Sequence, residues 1–258
     1  MIKYSIITPI YNEAENLMGK FSKFITWINS FTKNNLEYGK KIEIIFAEDG
    51  STDNSYNILL SLKKKITCPI QIVHSSVRLG KGGGFFNGIN SARGEIVVLY
   101  DCDMAVSPDQ IPNLLDSFKP NVDIVIGSRK HKKTKILNYP TFSRYILGAI
   151  SGLIVNLLFY IPVSETQCGF KAFRKKKILN IFRRMDVKGW FFDMELLLLS
   201  YYLGLSIVEI PVNYLYINPS KINQILDPIK IFFDILKMRL KSLAFYPVLK
   251  FNPNKEKK

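Results

Sequence analysis

The hydrophobic pattern of this chain switches repeatedly between two periods. Short runs rich in Ile, Val and Phe at 2–8, 41–47, 70–74 and 95–100 read as buried strands. Between them apolar residues recur at helical spacing. Leu17, Phe21, Phe24, Ile25 and Ile28 predict a helix from Asn12 to about residue 31, with Asn12 as its N-cap. A second helix is predicted over 53–65, capped from Ser51 or Asp53. A third runs from the glycine-rich Gly80–Gly84 to about Ala92, and Gly94 ends it. This alternation predicts a single doubly wound, mostly parallel α/β sheet with helices on both faces. The loops after its strands carry Glu13, Asp49, Arg78 to Lys81 and the pair Asp101/Asp103. They would share the edge at which such sheets bind ligands.

The second half continues with a short helix over 108–118 and a strand over 122–126. Ser164 to Phe173 reads as a loop entering a strand. Helices over 178–185 and 190–203 follow, the latter largely apolar, and then a strand over 206–212. Two segments stand apart. Tyr145 to Val163 is nineteen residues without a charge, long enough to span a bilayer. Gly148, Gly152 and Asn156 lie four apart on it, which favours close packing of one face. The segment is expected to dip into or lie on the membrane, or to pack on a neighbour. From Pro228 to Phe245 an apolar stripe is rimmed by Lys230, Lys237, Arg239 and Lys241. That pattern suits an anionic membrane surface as well as the protein's own core. The expected organisation is one domain over 1–225, divided into two halves, 1–103 and 104–225. A membrane-proximal amphipathic helix and polar tail follow at 226–258.

Charge narrows the choice of partners. The net charge is +15, concentrated at 171–188 (eight Lys/Arg against one acid) and 221–258 (nine against three). The partners are therefore anionic: phosphorylated substrates, an anionic membrane or nucleic acid. A nucleic-acid domain would carry its basic residues on a defined helix or arm. Here they are scattered among Phe-rich apolar segments. Three cysteines at Cys68, Cys102 and Cys168 have no metal-ligand spacing and argue for a reducing compartment. The N-terminus enters a strand pattern at once, so no signal peptide is expected.

The chemistry concentrates at Asp101-Cys102-Asp103, where a β-branched run stops at two carboxylates. In an extended chain both point the same way and can hold one hard cation, Mg²⁺ or Mn²⁺. Such a pair alone reads equally as two turn aspartates. Its company is more specific: Pro9-Ile-Tyr11-Asn12-Glu13, Glu48-Asp49-Gly50-Ser51, Gly80-Lys81-Gly82, Gly127-Ser-Arg129, Thr166-Gln167-Cys168-Gly-Phe-Lys171, Trp190-Phe-Phe-Asp193-Met-Glu195 and Pro211-Val-Asn213. The ordered set over residues 2–245 resembles the GT-A fold of family 2 inverting glycosyltransferases, in the dolichyl-phosphate β-glucosyltransferase and polyprenyl-phosphate branch.

The resemblance implies transfer of a hexose, glucose from UDP-glucose foremost, to a polyprenyl or dolichyl phosphate. A mannosyl donor and a polysaccharide-type acceptor are its rivals within the class. It implies Pro9, Tyr11, Glu13, Asp49, Arg78, Lys81, Asp101, Cys102, Asp103 and Gln167 around the nucleotide sugar, with Asp49 accepting from the base. Asp101, Asp103 and Asp193 would be catalytic, and Arg129, Arg144, Lys171 and Lys221 would cradle the acceptor phosphate. A lipid monophosphate is already anionic at neutral pH and needs positive charge rather than a general base. The implied location is the cytoplasmic face of a membrane, as a monotopic or peripheral protein.

Overall fold

The β-branched runs become strands of one sheet because their side chains fill both of its faces. The structure is a computed structural model that describes residues 1–139, 159, 161–186, 189, 191–217, 233, 235, 236 and 239. In chain order the elements are β1 (Tyr4–Ile10), α1 (Ala14–Met18), α2 (Phe21–Asn34), α3 (Leu36–Gly39), β2 (Ile42–Asp49), α4 (Ser55–Lys63), β3 (Ile70–Ser75), α5 (Lys81–Ser91) and β4 (Ile96–Tyr100). A 3₁₀ turn (Pro108–Gln110) follows, then α6 (Ile111–Asp116), β5 (Ile124–Ser128), β6 (Lys135–Ile136), β7 (Phe170–Arg174), α7 (Lys175–Phe182), α8 (Phe192–Tyr202), β8 (Ile207–Pro211) and β9 (Asn213–Tyr214).

Seven strands form the main sheet in the order β3-β2-β1-β4-β7-β5-β8. All neighbours are parallel except at β7, which runs against both β4 and β5. The mostly parallel α/β sheet expected from the sequence is therefore present. The reversal at β7 brings its start, Phe170, opposite Tyr100 at the end of β4. Hence the ends of β1, β2, β3, β4, β5 and β8 and the beginning of β7 all lie along one edge. One face is covered by α2, with Phe24 stacked on Phe21 (4.8 Å) and Tyr100 (5.4 Å). On the other face Phe85 of α5 meets Phe173 of β7 and Phe192 of α8, at 5.9 and 6.1 Å.

The helix expected over 12–31 is two helices. Asn12 has φ +51° and lies outside both, and Gly19 ends α1 before α2 begins at Phe21. Instead of capping its own helix, Asn12 accepts the N–H groups of Thr52 (2.8 Å) and Asp53 (3.3 Å). In return Ser55 Oγ and Asp53 Oδ2 accept the N–H groups of Glu13 and Ala14, at 2.8 and 3.1 Å. The caps are exchanged between neighbouring loops, which satisfies the orphan donors of both turns.

The chain forms two compact units, Met1–Pro140 with Pro162–Asn218 and Thr141–Ile161 with Pro219–Lys258. Within the second, Phe233, Ile235, Leu236 and Arg239 are helical, Ile235 being buried and Phe233 and Leu236 exposed. Arg144, Lys221 and the greater part of 145–163 and 228–245 lie outside the described residues. Among the described residues no helix is long and apolar enough to cross a membrane.

At the opposite edge of the sheet the fully buried Glu43 ties three strands together. Its carboxylate accepts from Ser5 Oγ (2.6 Å), from Arg93 N–H (2.6 Å) and Nε (2.8 Å), and from Gln71 Nε2 (3.2 Å). Burial alone would raise its pKa, but the Ser5 and Arg93 donors outweigh burial and hold it below the ordinary value. Replacing Glu43 by Leu should lower the unfolding free energy by about 3 kcal/mol in urea denaturation at neutral pH, because these donors lose a charged acceptor. The depressed pKa fixes the sign with pH. The stabilisation is complete above the unfolded value near 4.5 and is lost as pH falls through the lower folded value, so the gap between wild type and variant closes in acid.

Candidate active site

At the shared edge β4 delivers Asp101, Cys102 and Asp103. Cys102 is buried beneath the turn. Asp103 Oδ1 accepts the N–H of Ala105 at 3.0 Å, and Met104 between them takes the left-handed conformation with φ +60°. Asp101 sits against the loop that enters β7, its N–H donating to the Gly169 carbonyl at 3.2 Å. The contact is so close that a Cβ on Gly169 would stand 1.7 Å from Asp101 Oδ2. Only glycine leaves the carboxylate its place.

Lys81, the first residue of α5, brings its Nζ to 2.8 Å from Asp101 Oδ2. Beneath it, Lys171 of β7 is wholly buried. Its ammonium lies 3.1 Å from Asp193 Oδ1 at the start of α8 and donates to the Cys168 carbonyl. Three carboxylates (Asp101, Asp103, Asp193) therefore confront two ammonium groups. Burial would depress Lys81, yet the fields of Asp101, Asp193 and Asp103 outweigh it and raise its pKa. Burial and then the charge of Asp101 raise Asp103, with Glu13 adding to the repulsion. Burial likewise raises Asp193 against the pull of Lys171 and Lys81. The cluster is short of positive charge, which is the electrostatic condition of a cation site. Among the described residues no three His, Cys, Asp or Glu side chains converge as a closed metal cage.

The remaining predicted residues distribute as follows. Asp49, buried at the end of β2, accepts from Leu79 N–H (2.7 Å) and Gly80 N–H (2.9 Å), one on each oxygen. Burial raises its pKa despite these bonds. It thereby holds the loop that carries Arg78, whose guanidinium lies 4.0 Å over the ring of Tyr11. Pro9 and Tyr11 are half-buried at the end of β1. Glu13 accepts from Asn16 Nδ2 at 2.6 Å, and Gln167 is exposed in the loop before β7. Arg129, just after β5, is clamped by the buried Glu165 through Nε (2.6 Å) and Nη2 (2.9 Å), with the ring of Tyr214 5.3 Å away. Burial would lower its pKa, but Glu165 more than compensates and keeps it fully cationic. Cys168 is a buried thiol whose pKa burial pushes up to about 12, so it is not a nucleophile.

Two participants, Glu165 and Tyr214, are not among the residues the sequence pointed to, and Glu48 of the Glu48-Asp49 motif gains a specific role. Glu165 closes an uncharged run, and its isolation there was its only signal. Glu48 holds the turn after β2 by accepting Ser51 N–H at 2.6 Å and pairing with His74 Nδ1. Tyr214 flanks Arg129.

A profile described as glycosyl transferase family 2 matches residues 5–182. The chain belongs to this family. Dolichyl-phosphate beta-glucosyltransferase of Dictyostelium discoideum is 30% identical over 248 residues, covering 94% of this chain and 75% of that protein. Its namesake in Saccharomyces cerevisiae is 31% identical over 261 residues, covering 92% and 74%. Among solved structures, glucosyl-3-phosphoglycerate synthase from Mycobacterium tuberculosis in complex with Mn²⁺, UDP and glucosyl-3-phosphoglycerate has a TM-score of 0.64 at 16% identity, over 94% of this chain and 80% of that one. Mannosyl-3-phosphoglycerate synthase from Rubrobacter xylanophilus gives 0.65 at 13%, over 94% and 74%. The fold is GT-A and the protein is a glycosyltransferase. Nothing in the fold, the site or the relatives supports the nucleic-acid reading of its basic charge.

Two substitutions probe this geometry. Gly169→Ala should cost about a hundredfold in kcat through displacement of Asp101, with circular dichroism unchanged, since misplacements near 1 Å have that effect. Lys171→Met should destabilise the protein by about 3–5 kcal/mol by leaving Asp193 buried without a counter-charge. Adding Asp193→Asn should recover most of that loss in chemical denaturation.

Proposed function

We propose that the protein transfers glucose from UDP-glucose to a dolichyl or polyprenyl phosphate, with inversion, in a reaction that depends on Mg²⁺ or Mn²⁺. The observation that carries this reading is the Asp101/Asp103 pair in a cluster short of positive charge, on the edge that also holds Asp49 and Arg129. It gains its substrates from relatives named dolichyl-phosphate beta-glucosyltransferase that match over nine-tenths of the chain.

Asp101 and Asp103 would hold the divalent ion. Two carboxylates suffice, because such ions complete their shell from water and substrate phosphate. Bound there, the ion supplies charge neutralisation for the departing diphosphate. The chain's own residues do the rest. Lys81 keeps Asp101 aimed, with Gly169 leaving it room. Asp49 has carboxylate lone pairs beyond the two that accept N–H bonds, and these serve the N3–H of uracil. Tyr11, backed by Arg78, forms the wall for the nucleoside. The acceptor phosphate oxygen attacks the anomeric carbon as the bond to the diphosphate breaks. No proton has to be removed from it, so Asp193 acts by fixing Lys171 and the Cys168 carbonyl. Arg129 meets the phosphate with the donors that Glu165 leaves unused. The cytoplasmic face of a membrane suits both the lipid acceptor and three free buried cysteines.

Turnover tests the reading. UDP-glucose and a short polyprenyl phosphate should yield the lipid-linked sugar with Mg²⁺ or Mn²⁺. Chelation should abolish transfer and added metal should restore it. Asp103→Ala should lower kcat by about a thousandfold. Absence of transfer from any nucleotide sugar, or full activity of the variant, overturns the proposal.

A further inference from the structure

Residues 129–139 read Arg-Lys-His-Lys-Lys-Thr-Lys-Ile-Leu-Asn-Tyr, with five Lys/Arg and no acid. The stretch is a built surface rather than a loose tether. Thr134 N–H donates to the His131 carbonyl at 2.9 Å, its hydroxyl donates to the Ser128 carbonyl, and Lys133 N–H donates to His131 Nδ1 at 3.1 Å. Beyond this turn β6 pairs in parallel with β9. Lys135 N–H reaches the Val212 carbonyl at 3.0 Å and Leu137 N–H the Tyr214 carbonyl at 2.9 Å. Asn138 and Tyr216 then exchange two hydrogen bonds, at 2.8 and 2.6 Å.

The strand period assigns the side chains. Ile136 and Asn138 are half-buried, whereas Lys135, Leu137 and Tyr139 are exposed, Leu137 by 62% and Tyr139 by 80%. Leu215 on the partner segment is also exposed. Lys130, Lys132 and Lys133 crown the turn, exposed, and no ion pair among the described residues includes any of them or Lys135. An ordered basic crest thus runs into an exposed apolar strip.

We infer that the 130–139 ribbon is a docking surface for an anionic lipid bilayer. Lysines at this density are matched by anionic headgroups, while a leucine and a tyrosine beside them suit the boundary between headgroups and acyl chains. A nucleic acid would match the lysines but leave Leu137 and Leu215 without apolar partners. The ribbon is also fastened to the metal-binding turn. Leu215 N–H donates to the Ala105 carbonyl at 2.8 Å, Val106 bridges to Tyr214, and the Tyr214 ring lies beside Arg129. Docking there sets the mouth of the site in the plane where a lipid phosphate lies. This assignment deepens the proposed transfer to a lipid phosphate and rests on it for the purpose of the docking.

The test uses the full chain and two variants, Lys132→Ala/Lys133→Ala/Lys135→Ala and Leu137→Ser/Tyr139→Ser, each checked for native thermal unfolding. Sedimentation is measured with vesicles of phosphatidylcholine alone and with added phosphatidylglycerol. The triple variant should lose affinity for the anionic vesicles by roughly fivefold per lysine, about a hundredfold in all, and raised salt should weaken the wild type in the same way. The double variant should lose retention on both vesicle types. Transfer to a short, water-soluble prenyl phosphate without vesicles should stay at the wild-type rate in both variants, while transfer to a long-chain acceptor in anionic vesicles falls with binding. Wild-type affinity of the triple variant for anionic vesicles overturns the inference. So does equal affinity of the wild type for neutral and anionic vesicles, or a triple variant that loses retention on RNA while keeping it on vesicles. If the wild type moves no sugar to either acceptor yet the vesicle results hold, the transferase reading fails and the docking surface stands.

Discussion

Asp101, Asp103 and Asp193 share one low-dielectric end of the sheet with the ammonium groups of Lys81 and Lys171. In such surroundings each uncompensated charge is costly, and the cost falls steeply with the distance to an opposite one. The chain around the cluster is shaped by that demand. Lys171 sits between Phe170 and Ala172 in a buried strand, where its ammonium reaches Asp193. Helix α5 begins at Lys81 so that its side chain can span to Asp101. Residue 169 is glycine because the strand carrying Lys171 has to enter against the Asp101 carboxylate.

The side built on Asp49 obeys a different constraint, the satisfaction of loop backbone. Asp49, Glu48 and Asn12 each accept N–H groups from a loop other than their own or from the next turn. The loops after β1, β2 and β3 thereby become one hydrogen-bonded body. Tyr11 and Arg78, which come from the first and third of these loops, meet because Asp49 in the second holds the third in place.

The parallel half was legible because its signals are local. Ile-rich runs, the turn at Gly50 and the glycines before α5 each act within a few residues, and all four strands lie close to their expected positions. What the sequence did not disclose depends on pairs distant along the chain. Asn12 has the side chain of a cap and serves as one, but for residues forty positions away. Arg129 could be seen as a cation, whereas its partner Glu165 lies 36 residues on. Nor does a short strand such as Phe170–Arg174 declare its direction, because the same pattern fits either orientation. Lys171 could be read from sequence as an open phosphate ligand. Its burial follows only from the placement of α8 over β7.

The reversed strand has a consequence for how this enzyme can change. Since β5 ends and β7 begins on the same edge, the 41 residues from Arg129 to Gly169 connect neighbouring points of the sheet. Their length is invisible to the strands behind them. A parallel β7 would have tied that length to a crossover along the sheet. Antiparallel entry lets the chain between Arg129 and Gly169 change in length in evolution while Lys171 and Asp101 keep their register.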